Sequence, residues 1–397
     1  MLLIFLHFLK NSFGLKIPSV FEYYSTRMTL AAITALLVTV VCGKPFIKKL
    51  YEWKIGDRVR SEDCPLLGEL HRDKNDTPTM GGVLILFSLL VSLFLWMDLR
   101  SSFTLLLFYT TVSVGALGAY DDYLKLRQRN TKGISTKKKF LIQAVISFFI
   151  ALYLLWPTAT EALHFKGWFS PPLAKEEMSL HILTAKEYIS FLFVPFFKEP
   201  LLHLHGFALI GMALLIIFVI TGTSNAVNLS DGLDGLATGM VLLAAAAFAL
   251  IAFISNNVDL ARYLHILYIE GSGEIAIFLS ALAGACLGFL WYNGYPAQVF
   301  MGDTGSLTLG AILGVSAVLL KREILLVVIG GLFVVEALSV ILQVGSYRLR
   351  NKKRVFLCAP LHHHYEYKGW PESKVVLRFW IVGLLLAIIG IATLKFQ

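Results

Sequence analysis

Asp121 and Asp122 close an uncharged run of 20 residues, Ser101 to Tyr120. Adjacent carboxylates at the edge of an apolar segment repel one another and lose hydration, so a cation has to offset them. On a helix, Lys125 lies four residues after Asp121 and three after Asp122, on the same side. A divalent ion is the other way to balance the pair, and a solvated helix end is the plainest alternative. Asp231 and Asp234 form a second acidic pair in NLSDGLDG, where the glycines permit a tight turn and close backbone approach to a ligand. A plain turn does not require Asn225, Asn228, Asp231 and Asp234 together. Asp303, in FMGDTGS, is either a ligand for a hard divalent cation or the N-cap of the helix that follows. His362, His363 and His364 are consecutive, so their side chains diverge. That suits one or two contacts to phosphate and one that orders the loop better than three ligands on one metal. Glu336 interrupts an apolar run, with Gln343 seven residues later on the same helical face. An ionisable group at such depth is either functional or satisfied between helices.

The elements that carry these groups must be membrane helices. The chain has 397 residues, 57% hydrophobic and 15% charged, with a mean hydropathy of +0.71. Soluble domains are about 45–50% apolar and about 25% charged. Disordered, collagen-like and disulfide-scaffold classes are excluded. Apolar runs near the ~20 residues needed to span begin near Met28, Thr79, Ser101, Phe140, Gly206, Gly235, Ile275, Thr304, Ile324 and Phe379. The expected architecture is an all-α polytopic membrane protein of ten transmembrane helices, folded as a single domain over 1–397 with an interfacial segment at 1–27. The run Tyr188–Phe197 is too short to span and reads as interfacial or re-entrant.

Segments 44–78, 121–139 and 346–378 hold 23 of the 35 basic residues and follow spans one, three and nine. They therefore share one face, which the positive-inside rule makes cytoplasmic. Both termini then lie outside, as does the long loop 156–205. That cytoplasmic face carries the formal net charge of +9. The positive-inside rule alone explains most of this charge, and no nucleic-acid partner is expected. Each polar cluster sits at the exit of an odd-numbered span, so loops distant in sequence open on one side. Cys42, Cys64, Cys286 and Cys358 have no paired spacing and support neither a disulfide framework nor a zinc site.

The segments AYDDYLK, NAVNLSDGLDGLATG, PAQVFMGDTGSL and APLHHHYEYKGWPE together resemble the phospho-N-acetylmuramoyl-pentapeptide transferases (translocase I). These belong to the polyprenyl-phosphate N-acetylhexosamine-1-phosphate transferases. The resemblance runs from about Lys44 to Trp380. It implies a Mg²⁺-dependent enzyme of the bacterial inner membrane, typically homodimeric, with its active site in cytoplasmic-face loops and with both termini and the loop 156–205 periplasmic. UDP-N-acetylmuramoyl-pentapeptide and undecaprenyl phosphate would give lipid I and UMP, for peptidoglycan synthesis. The resemblance makes Asp121 and Asp122 the pair near the lipid phosphate, with Asp121 the base. Asp303 becomes the main Mg²⁺ ligand, with Asp231 a second. It also implies that Asn228, Asp231 and Asp234 lie on the nucleotide side, with Phe300 stacked on uracil and Asn293 also binding substrate. Lys74, Thr79, Lys125 and Gln343 line the cleft, and His362, His363 and His364 meet the diphosphate or the sugar-peptide, His363 as a catalytic group. A basic residue opening span four is expected as well, and Lys139 is chosen from the run 137–139.

Two rivals stand beside this reading. A sister transferase using UDP-N-acetylglucosamine has the same fold and metal, though the histidine loop argues against it. A secondary transporter would also carry an intramembrane charge such as Glu336, but near the midplane rather than gathered at one face.

Overall fold

A computed structural model of the chain describes residues 12–13, 19–53, 74, 77–128, 133–156, 174–175, 182–183, 185–197 and 199–395. The main helices are α1 (Tyr24–Glu52), α2 (Gly82–Trp96), α3 (Ser102–Gln128), α4 (Thr136–Leu155), α5 (Ala208–Ser230) and α6 (Leu236–Ser255). They continue as α7 (Gly273–Asn293), α8 (Gly302–Leu319), α9 (Glu323–Ile329), α10 (Gly331–Leu349), α11 (Leu361–Tyr367) and α12 (Glu372–Thr393). Among the described residues, nine helices are long and apolar enough to cross a membrane. The all-α polytopic expectation holds.

Two of the ten expected spans take a different form. The run from Thr79 yields only α2, 15 residues long, or about 22 Å. It is short because residues 78–82 are used in backbone pairing. Phe300 N–H donates to the Pro78 carbonyl, Gly81 N–H to that of Phe300 and Gly82 N–H to that of Met301, each at 2.8 Å. The run from Ile324 is broken into α9 and α10. Gly330 leaves helical geometry at φ −89°, ψ 20°, and the pair Gly330–Gly331 offers no β-carbon to hold the turn.

Helix α8 is the centre of the bundle: Thr304 through Leu319 are all buried. It packs against α3 and α5. At Gly118 of α3 an added β-carbon would lie 2.5 Å from the Asp303 carbonyl oxygen, so only glycine permits that approach. This contact sets Asp121 and Asp122 one turn along, beside the start of α8. At the other end of the bundle, α1, α2 and α7 are tied together by a buried ion pair and its hydrogen bonds. Arg27 Nη2 lies 2.7 Å from Glu274 Oε1, Arg27 Nε donates to the Trp96 carbonyl, and Glu274 Oε2 accepts the Asp98 N–H. The expected interfacial segment 1–27 is thus shortened: Tyr24 to Arg27 belong to α1, with Arg27 buried, and residues 1–11 and 14–18 lie outside the described residues.

Within 156–205, Ala174–Lys175 pairs with Ile182–Leu183 and with Tyr268–Ile269, and Phe191–Leu192 pairs with Leu202–His203. The stretch expected to be interfacial or re-entrant contains a short helix, Ala185–Ser190, with Tyr188 and Ile189 fully buried in the core.

Candidate active site

The last turn of α3 and the first turn of α8 bring Asp121, Asp122 and Asp303 together, one oxygen of each lying within 4.8 Å of the others. Asp121 and Asp122 are buried and Asp303 is half-buried. Three carboxylates so close need cations, and two lysines supply them. Lys125 Nζ is 2.9 Å from Asp121 Oδ2 and 2.9 Å from Asp303 Oδ2. Lys139 Nζ is 2.9 Å from Asp121 Oδ2 and 2.5 Å from Asp303 Oδ2. Lys139 opens α4 and is half-buried, whereas Lys137 and Lys138 are exposed. Successive side chains on a helix point about 100° apart, so one lysine of the three faces inward.

The three aspartates have separate roles. Both Asp122 oxygens accept from the start of α8: Oδ1 from Asp303 N–H at 3.1 Å, and Oδ2 from Thr304 N–H at 2.9 Å and Thr304 Oγ1 at 2.7 Å. The capping role left open for Asp303 therefore falls to Asp122, from another helix. Asp303 is released into the site, where its Oδ1 accepts the Asn228 amide at 2.8 Å. Asn228 also donates to Ser306 Oγ. Asp121 Oδ1 accepts the Ile134 N–H at 2.7 Å.

A second cluster adjoins the first. Lys74 Nζ lies 2.6 Å from Asp234 Oδ1 and 2.7 Å from Glu372 Oε1, with the Tyr295 ring 5.9 Å away. Asp234 Oδ2 accepts the Ala297 N–H, and Glu372 Oε1 accepts the Asp234 N–H. Asp231 is half-buried at the end of α5. Burial and the carboxylates of Asp303, Asp122 and Asp234 push its carboxyl up to about 8. Thr79 is buried, and its hydroxyl sits against Gly302, 2.9 Å from where a β-carbon would be. Phe300 is half-buried on the strand-like pairing with Pro78 and Gly81.

The histidines separate as their spacing requires. His362 is fully buried beside Glu336, and His363 Nδ1 is 2.7 Å from Glu366 Oε2. His364 Nδ1 accepts the Leu357 N–H at 3.2 Å. Burial and the nearby Lys368 hold His364 below the usual histidine range. Gln343 and Asn293, both expected to bind substrate, hydrogen-bond within the protein. Gln343 donates to the Phe356 carbonyl and accepts the Val355 and Phe356 N–H groups. Asn293 accepts from Gly235 N–H and Thr238 Oγ1 and donates to the Val299 carbonyl. Glu336 likewise caps α11, so the intramembrane charge that a transporter would use is already engaged. The sequence reading missed Glu372. Its position directly after Pro371 marks it as a carboxylate on the first turn of a helix, and only the fold reveals Lys74 beside it.

Comparison with known proteins is decisive. The family model for glycosyl transferase family 4 matches residues 104–321. A signature described as phospho-N-acetylmuramoyl-pentapeptide-transferase signature 1 matches residues 74–86. A phospho-N-acetylmuramoyl-pentapeptide-transferase of Protochlamydia amoebophila (strain UWE25) is 63% identical over 410 residues, covering 100% of both chains. The chain belongs to the phospho-N-acetylmuramoyl-pentapeptide transferase family. The signature of this transferase family runs from Lys74 through Thr79 and into α2, the backbone segment that pairs with residues 300–301. The broader glycosyl transferase match begins in α3 and ends just past α8, so it spans all three clustered aspartates.

Proposed function

We propose that this chain transfers phospho-N-acetylmuramoyl-pentapeptide from its UDP conjugate to undecaprenyl phosphate, giving lipid I and UMP in peptidoglycan synthesis. The observation that carries this reading is the convergence of Asp121, Asp122 and Asp303 with Lys125 and Lys139. An oxygen of the lipid phosphate attacks the β-phosphorus of the nucleotide conjugate. The bond from that phosphorus to the bridging oxygen breaks, and UMP departs with the electron pair.

Repulsion between two phosphate groups is the main obstacle, and fixed positive charge lowers it. Lys125 and Lys139 reach the mouth of the aspartate cluster and can exchange carboxylate partners for phosphate oxygens. Asn228 holds Asp303 from its other side. Asp121 is placed to take a proton remaining on the lipid phosphate. A phosphate monoester has its second pKa near ~6, so at neutral pH most of the acceptor needs no base. Both Asp303 oxygens already accept hydrogen bonds or ion pairs, which favours direct displacement over a covalent enzyme intermediate.

Three clustered carboxylates form a hard-oxygen donor set that suits Mg²⁺. Asp303 and Asp121 would hold it, with Asp122 largely occupied by its capping bonds and Asp231 as a neighbouring candidate. When bound, Mg²⁺ neutralises and polarises diphosphate oxygens. Lys74, Asn228, Asp234 and Phe300 then face the nucleotide, and His363 and His364 face the diphosphate or sugar-peptide, with the buried His362 spacing their helix from the Asp231–Asp234 turn. The enzyme sits in the bacterial inner membrane, with this site cytoplasmic and both termini periplasmic.

The test is UMP release from detergent-solubilised protein with undecaprenyl phosphate and Mg²⁺, comparing UDP-N-acetylmuramoyl-pentapeptide with UDP-N-acetylglucosamine. Release with the first donor alone, stopped by EDTA and restored by Mg²⁺, is expected. Release with the second donor alone would move the chain to the sister branch, and undiminished release in EDTA would remove the metal.

A further inference from the structure

Glu336 projects from α10 into the protein with no solvent exposure. Its Oε2 accepts the Leu361 N–H at 2.7 Å and its Oε1 the His362 N–H at 3.1 Å. These are the first two amides of α11, and helix-initial amides have no partner within their own helix. Pro360, at the cap position, makes no side-chain capping bond. One carboxylate on a different helix therefore supplies the cap. The same carboxylate lies 3.2 Å from His362 Nδ1.

His362 is itself fully buried. On its far side Nε2 presses against Gly232, where an added β-carbon would lie 2.3 Å away. The ring is thus a spacer between α10 and the turn that carries Asp231 and Asp234. Further along α10, Ser346 Oγ donates to the Lys353 carbonyl and Gln343 holds residues 355–356. Ser346 and Gln343 thus hold residues 353–356, and Glu336 holds residues 361–362.

We infer that Glu336 is a positioning residue for donor recognition. It fixes the His362 ring against Gly232 and so sets the distance between the histidine helix and the Asp231–Asp234 turn. This deepens the proposed transferase function and rests on it. The aspartate–lysine cluster is held by α3, α4 and α8, independently of α10, so loosening α11 weakens the nucleotide-sugar side and spares the lipid-phosphate side. An ionised carboxylate serves both amides at once, one oxygen to each, with the His362 ring packed beside it. Glutamine offers one acceptor oxygen, and alanine leaves two buried N–H groups without a partner.

The experiment uses the full-length protein in detergent, as wild type, Glu336→Gln, Glu336→Ala and Ser346→Ala. It measures amide hydrogen exchange across 361–367 and the KM for each substrate. Glu336→Ala is expected to lose protection at Leu361 and His362 and to raise the donor KM by roughly ten- to a hundred-fold. Its KM for undecaprenyl phosphate stays within about twofold. Glu336→Gln falls between, and Ser346→Ala keeps both the exchange pattern and the donor KM. Should the alanine protein fail to fold, Glu336→Gln carries the same comparison. Retained protection in the glutamate variants, or lost protection with an unchanged donor KM, would overturn the inference. So would a proportional fall in kcat and in affinity for both substrates. Wild-type protein that turns over neither donor would instead bring down the transferase reading, which is distinguishable because the exchange measurement needs no turnover.

Discussion

Asp122 caps a helix to which it does not belong: its carboxylate accepts the backbone and hydroxyl of Thr304, at 2.9 and 2.7 Å. Capping normally falls to a residue at the helix start, and here the N-terminal position of α8 is Met301, which makes no capping bond. Because Asp122 takes that task from α3, Asp303 is left to face Lys125, Lys139 and Asn228. The cap and the lysine contacts are thus divided between two aspartates.

That division has separable consequences. Asp122→Ala should cost about 1–2 kcal/mol of stability through the lost cap and reduce turnover with it. Asp303→Asn should leave the unfolding midpoint near that of wild type and abolish UMP release. Thermal unfolding in detergent beside a UMP assay checks both. A large stability loss in Asp303→Asn would contradict the assignment.

Close helix approach gives a second contrast. A β-carbon on Gly82 would lie 2.1 Å from Gly305 N and 2.4 Å from its Cα, and backbone cannot yield. Gly82→Ala should therefore destabilise by at least about 1–3 kcal/mol, with loss of function, since this contact seats the start of α8. Gly345, on α10, has nothing within 4 Å of the same position. Gly345→Ala should be neutral or gain up to about 1 kcal/mol of helix propensity. Thermal midpoints of the two variants decide the matter.

Asp231 predicts a pH dependence. Its carboxyl is pushed up to about 8 by burial and by Asp303, Asp122 and Asp234, while an unfolded aspartate titrates near ~3.9. The native state therefore binds the extra proton between these values, and stability falls as pH rises. The contribution is complete below the unfolded pKa and lost as pH passes the folded one. In EDTA-treated protein, the unfolding midpoint of Asp231→Asn should decline less than that of wild type between pH 6 and about 8.5. Equal slopes would show that Asp231 is ionised throughout.

Much of the architecture is legible without coordinates, since ten apolar runs correspond to the nine long helices plus α2. The two departures come from local backbone geometry that hydropathy cannot register. Residues 78–82 bond to residues 300–301 and shorten α2, and Gly330 divides one apolar run into α9 and α10. The candidate site was legible in part. Lys125 lies beside the aspartates as its helical spacing requires and Lys139 joins them from α4, whereas the amides of Gln343 and Asn293 are bound within the protein.

By itself the sequence determined the class of protein and the ingredients of its site. Run length reports membrane crossing because hydrocarbon thickness sets how many apolar residues a helix needs. The motifs name their family because their residue types are read in order along the chain. Only the tertiary structure decided which carboxylate caps, which lysine of 137–139 faces inward, and which groups hold the others in place. Lys74 and Glu372 are 298 residues apart and 2.7 Å from each other. Such a pairing depends on how helices pack and rotate against one another, which no local pattern of side chains encodes.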